Sequence, residues 1–188
     1  KDPGNALFNE LRAKLRANHA AAPWLTAPRG LPAALNTELD VLHREGRVSR
    51  QSVAAGALLS SLGMDTWDGP VWDCCAGRGG KTFSLLEAGI GPVWASDANR
   101  ARLGGLPGEA ARLGLPAPLA FVCDAGDAPL RRAPQVILVD APCTGLGVLT
   151  RRPDSKWKRT FADIGRLAAT QRRILHACLR HLKPGGAL

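Results

Sequence analysis

With 188 residues and 45% hydrophobic content, the chain can bury one good core, and it has no apolar stretch long enough to read as a membrane span or a signal peptide. A formal charge of +9 at pH 7 would gather polyanions at its surface, as it does for basic proteins of many kinds. Five cysteines without disulfide-like spacing, without a Cys-x-x-Cys pair and without His clustering argue for a cytoplasmic setting and against a metal site.

In chain order, residues 5–18 carry Leu7, Phe8, Leu11 and Leu15 at helical spacing among Arg12, Lys14 and Arg16, which predicts an amphipathic helix. Residues 20–32, rich in Ala and Pro, read as a connector. Further helices are expected over 35–44 and 52–62, the second bounded by the turn at Gly63. Residues 1–66 therefore form a small helical segment leading into a core of 67–188.

The core opens with a short apolar run that breaks into Asp73-Cys74-Cys75-Ala76-Gly77-Arg78-Gly79-Gly80-Lys81-Thr82 and then into a helix. Glycines permit a tight turn and close backbone approach, and the following helix offers free amides and the positive end of its dipole. A nucleoside-triphosphate loop would need glycine at Cys75, and a dinucleotide fingerprint would need Gly or Ala at Thr82. Both fail, which leaves another cofactor or an ordinary strand-to-helix turn. Further apolar runs at 92–97, 119–124 and 135–140 end, like the first, at or beside an aspartate: Asp73, Asp97, Asp124 and Asp140. In an open parallel sheet all four strand ends face one crevice, although a single Asp there is often only a turn or capping residue. Between the runs, 98–113 predicts a helix, a break at Gly104, Gly105 and Pro107, and a second short turn, and 161–182 predicts a long amphipathic helix. Gly186-Ala187-Leu188 reads as the start of a strand.

The glycine loop resembles the first motif of the RNA 5-methylcytosine methyltransferases of the RsmB/Sun (Fmu) type, Asp-x-Cys-Ala-Ala-Pro-Gly-Gly-Lys-Thr, and Asp140-Ala141-Pro142-Cys143-Thr144-Gly145-Leu146-Gly147 resembles their fourth. Gly77 and Arg78 stand where the pattern has Ala and Pro. This frees the backbone and adds a cation near a ligand that carries a sulfonium. The resemblance implies a Rossmann-like class I methyltransferase fold with a largely parallel sheet, and S-adenosylmethionine as cofactor. It further implies that Cys75, Ala76, Gly77, Arg78, Gly79, Gly80 and Lys81 line the cofactor loop, that Asp97 holds the ribose hydroxyls, that Asp124 bonds the adenine amino group, and that Asp140 sits between cofactor and target base. Gln171 approaches the same region, and Gln51 belongs to the lead-in segment.

The implied reaction methylates carbon 5 of cytosine in RNA, ribosomal RNA first and transfer RNA second, which requires a thiolate to add to carbon 6. Cys143 is implied to release the covalent adduct, or, as in the DNA enzymes, to be the nucleophile itself. The family's later Thr-Cys-Ser nucleophile motif does not occur, so the chain is expected to be a fragment; a catalytically inactive RNA-binding module is the alternative. Cys123 and Cys178 lie in apolar patterns and read as core, Cys74 and Cys75 as pointing to opposite faces, and His176 and His181 as surface or capping residues. Arg151, Arg152, Lys156, Lys158 and Arg159 surround Trp157 after the fourth motif, an array suited to gripping phosphates while Trp157 stacks on a base. A solvated loop with Trp157 anchored in the core is the alternative.

Overall fold

The computed structural model describes residues 33–188 apart from 50, 52 and 150–152. The expected helix at 5–18, the connector at 20–32, and Arg151 and Arg152 lie outside the described residues.

Two helices, α1 (Ala33–Arg44) and α2 (Val53–Ser61), precede a sheet of four parallel strands: β1 (Val71–Asp73), β2 (Val93–Asp97), β3 (Leu119–Val122) and β4 (Val136–Leu138). Between the strands come α3 (Gly80–Glu87), then α4 (Arg100–Leu103) and α5 (Leu106–Leu113); α6 (Phe161–His181) follows β4. The strand order is β3-β2-β1-β4. The chain therefore steps outward from β1 to β3 and then returns to the other side of β1, and this reversal opens a crevice at the carboxyl ends of β1 and β4. Ala187 pairs in parallel with Val136 on the outer edge of β4, where a strand start is expected.

Period-two alternation divides the strand residues between two cores. Val71, Ala95, Val136 and Leu138 pack against Phe83 and Leu85 of α3, Leu103 of α4 and Leu106 of α5. Trp72 and Ile137 face the other way, toward Ile174 and Cys178 of α6. Burial on both faces explains why β1 and β4 read as continuous apolar runs rather than as alternating ones. Edge strand β3 is the exception, with Leu119 and Val122 exposed.

The break at Gly104 and Gly105 falls where expected, but the proportions reverse: α4 is a single turn, and the longer piece is α5, with Pro107 in its first turn. Proline lacks an N–H that this turn would leave unbonded, so it starts the helix rather than ending one. α6 starts at Phe161 because Thr160 and Asp163 form a reciprocal capping box, and the Arg166 guanidinium with the Thr160 amide lowers the Asp163 carboxyl to about 2. His181, expected at the surface, is half-buried with its ring edge-on to Trp72 at 6.1 Å.

Candidate cofactor site

The loop after β1 is tied to both neighbouring strands. The Cys74 amide donates to Leu138 O at 3.1 Å and the Ala76 amide to Ser96 O at 2.8 Å. Gly79, at φ 84°, initiates α3; a Cβ there would lie 2.4 Å from Leu106 Cδ2 and 2.6 Å from Phe83 Cε2, so a side chain would wedge the loop off α3 and α5. Gly77, at φ 59°, turns its amide toward Asp97 and donates to Oδ2 at 3.0 Å. The Asn99 amide donates to Asp97 Oδ1 at 2.7 Å, and Arg102 Nη1 lies 3.7 Å from Oδ2.

Asp73 is 1% exposed, and burial pushes its carboxyl up to about 6 against the opposing pull of Thr82, whose Oγ1 donates to Oδ2 at 2.6 Å, and of the Lys81 charge. Its Oδ1 has no hydrogen-bond partner, and the Cys75 amide exerts only the weakest of the lowering effects. Lys81 Nζ forms an ion pair with Asp140, which joins the glycine loop to the chain leaving β4.

These groups surround an open cavity of about 380 Å³ lined by Cys75, Ala76, Gly77, Arg78, Gly80, Lys81 and Asp140, together with Gln51, Ala55, Asp73 and Arg102. A volume of this size is ordinary for a small-molecule site. The last four were not assigned to the site from the sequence. Asp73 was visible there as a strand-end acid. Gln51 reaches the site because its Nε2 donates to Ser84 Oγ at 3.0 Å. Ala55 and Arg102 gave no signal in the sequence.

Four expected residues stand apart from the cavity lining. Asp97 is 8% exposed and lies behind the loop, bonded to the Gly77 amide that lines the cavity. Gly79 is buried in the packing beneath the loop. Asp124 caps the turn at Ala125–Asp127 and is held by Arg173 Nη2 at 2.7 Å, and that bond together with the Gly126 amide lowers its pKa. Cys143 is exposed on the next loop, where Gln171 Nε2 donates to Pro142 O at 2.9 Å and Arg159 Nε to Thr144 O at 2.7 Å.

Among the other thiols, Cys74 and Cys123 are poorly suited to act as nucleophiles. Cys74 and Cys75 do not point apart: the chain turns directly after Asp73 and their sulfurs lie 4.0 Å from one another, with Cys178 Sγ 3.8 Å from that of Cys74. Hydrogen bonding with Cys178 and Cys75, reinforced by burial, pushes the Cys74 pKa far up and keeps it a thiol. Cys178 is buried as expected. Cys123 is only half-buried, and its pKa is raised by the burial it has.

Further along the chain, Pro153–Lys158 forms a 3-10 turn. Trp157 is 81% exposed and Phe161 90%, so neither is anchored in the core. Lys156 Nζ lies 4.8 Å from the Trp157 ring centroid, Lys158 pairs with Asp154, and Arg159 is committed to Thr144.

A three-layer α/β unit with parallel strands in this order, with a glycine loop and two strand-end acids lining one cavity, is the class I Rossmann-like fold of S-adenosylmethionine-binding methyltransferases. Residues 63–188 match the family model of the 16S rRNA methyltransferase RsmB/F, and the chain belongs to that family. It is 42% identical over 154 residues to ribosomal RNA small subunit methyltransferase B of Vibrio cholerae, covering 77% of this chain and 34% of the relative. Among solved structures it resembles NSun6 from Pyrococcus horikoshii (TM-score 0.68, 29% identity, 77% of this chain and 38% of that one). It also resembles a methyltransferase homolog from the same organism (TM-score 0.70, 26% identity, 99% and 59%). The chain thus spans about a third of the length of the curated relatives it matches.

Proposed function

We propose that this chain forms the cofactor-binding part of a cytoplasmic enzyme that methylates carbon 5 of cytosine in RNA, with small-subunit ribosomal RNA as the substrate and transfer RNA as the second candidate. Free cysteines suit a reducing compartment, and the net charge suits a polyanion. The observation that carries the reading is the cavity at the ends of β1 and β4, where a buried acid oxygen without a partner, an arginine and the Lys81–Asp140 pair surround the space the family uses for its cofactor.

The donor set fits S-adenosylmethionine. Asp97 keeps lone pairs for ribose hydroxyls beyond the two amide bonds it accepts, and those amides fix its orientation. The loop from Cys75 to Lys81 faces the amino-acid end. Asp124 reaches an adenine amino group only by sharing or exchanging Arg173. Bound cofactor supplies the electrophilic methyl group. Asp140, tethered by Lys81, would stand between that group and the base. Cys143 sits on a loop braced by Gln171 and Arg159, with its thiol open to a base arriving from solvent and suited to releasing a cytosine–enzyme adduct. Trp157 and Phe161 offer stacking faces for unpaired bases, and Lys156, Lys158, Arg159, Arg151 and Arg152 supply phosphate contacts.

The test is transfer of tritiated methyl from S-adenosylmethionine to small-subunit ribosomal RNA by the full-length protein, followed by nucleoside analysis. Label in 5-methylcytidine is the expected result. Label in another nucleoside, or in transfer RNA alone, contradicts the corresponding part of the proposal. RNA binding without any transfer favours an inactive RNA-binding module.

A further inference from the structure

Arg78 stands where the family motif carries proline, and its role follows from which charges around the cavity are already engaged. Lys81 is paired with Asp140, and Arg102 lies 3.7 Å from Asp97. Arg78 lines the same cavity, is exposed, and has no hydrogen-bond or ion-pair partner among the described residues. The opposite charge is also present: Asp73 lines the cavity, and its buried Oδ1 has no hydrogen-bond partner. Among the described residues, the lining therefore supplies one free cation and one acid with an unbonded oxygen, which is the complement of an amino-acid zwitterion.

We propose that Arg78 and Asp73 form a two-point receptor for the amino-acid end of S-adenosylmethionine, with the Arg78 guanidinium holding the carboxylate and Asp73 Oδ1 accepting from the ammonium. The proposal rests on the cavity being the cofactor site and deepens that reading. A free guanidinium would repel the sulfonium and the ammonium, whereas one forked onto the carboxylate neutralises the ligand's only anion and gives up few degrees of freedom, because arginine's planar donors match a carboxylate. Proline, with neither charge nor side-chain donor, leaves that anion to backbone amides alone. Arg78 is thus a specificity-determining residue that discriminates for the intact amino-acid end.

The test compares calorimetric affinities of the chain for S-adenosylmethionine and for its decarboxylated analogue, which keeps the sulfonium, amine and adenosine. Charge-assisted bonds of this kind correspond to roughly a 10- to 100-fold preference for the intact cofactor. Arg78→Ala is expected to erase most of that preference by weakening the cofactor and leaving the analogue unchanged or improved, and Arg78→Lys to retain part of it. Equal weakening of both ligands by Arg78→Ala, or tighter cofactor binding, overturns the proposal while leaving the site reading intact. Failure of the folded wild-type chain to bind either ligand overturns both. Circular dichroism of each variant separates loss of the contact from loss of fold.

Discussion

The carboxylates at the ends of β1 and β2 are buried and held chiefly by neutral donors, whereas those following β3 and β4 are exposed and held by long cationic side chains. Asp73 and Asp97 are 1% and 8% exposed and accept from the Thr82 hydroxyl and from the Gly77 and Asn99 amides. The side chains of Asp124 and Asp140 are 51% and 57% exposed and pair with Arg173 and Lys81. The sequence presents all four acids as the same feature, an apolar run ending in aspartate, yet the fold gives them two kinds of work. The inner pair is oriented before any ligand arrives and cannot relax away from it, which is how a site is preorganised at a cost in stability. The outer pair can exchange partners cheaply, because exposed ion pairs contribute little and are screened by salt.

The largest effect that distinguishes the pairs belongs to Asp73. Its folded pKa is raised from 3.8 to about 6, so the folded chain holds the proton to higher pH than the unfolded chain does. Stability is therefore unaffected below about pH 4, falls as pH rises toward 6, and is reduced by about 3 kcal/mol above it. Asp73→Asn is expected to remove this dependence and to be the more stable protein at pH 7.5, while binding S-adenosylmethionine more weakly; denaturant midpoints at pH 4.5 and 7.5 and a cofactor titration check both. An unchanged pH profile in the variant would break the contrast. Next is Thr82→Val, which keeps the shape but removes the 2.6 Å bond. It should cost about 1–3 kcal/mol, more at pH 7.5 than at pH 4.5, because a bond to the ionised carboxylate is the stronger one. The smallest effect is Arg173→Ala. The lowered Asp124 pKa means that this pair stabilises above the ordinary carboxylate range and is lost as pH falls through it. The change in melting midpoint should be the least of the three and should fade in high salt.

The parallel sheet, the glycine loop and the helix boundaries outside 98–113 were legible in the sequence because burial on both sheet faces and glycines at positive φ leave strong local patterns. The environments of the aspartates were not legible, since they depend on which elements cross above each strand end. Asp73 is buried because α3 folds back over it, and Asp124 is open because it ends the edge strand. The proximity of Cys74 and Cys75 was hidden for a related reason: the strand stops at Asp73, so alternation no longer applies one residue later. Trp157 shows the limit of composition, since an aromatic among cations fits a buried anchor and a stacking face equally well, and only its exposure separates them.

The proposed function requires the crevice at the strand ends to bind S-adenosylmethionine with Asp97 holding the ribose hydroxyls, and calorimetric titration of the wild-type chain and of Asp97→Ala decides this. Saturable binding by the wild type is expected, lost in the variant while the circular dichroism spectrum is retained. Undiminished binding by Asp97→Ala, or no binding by a folded wild-type chain, would contradict it.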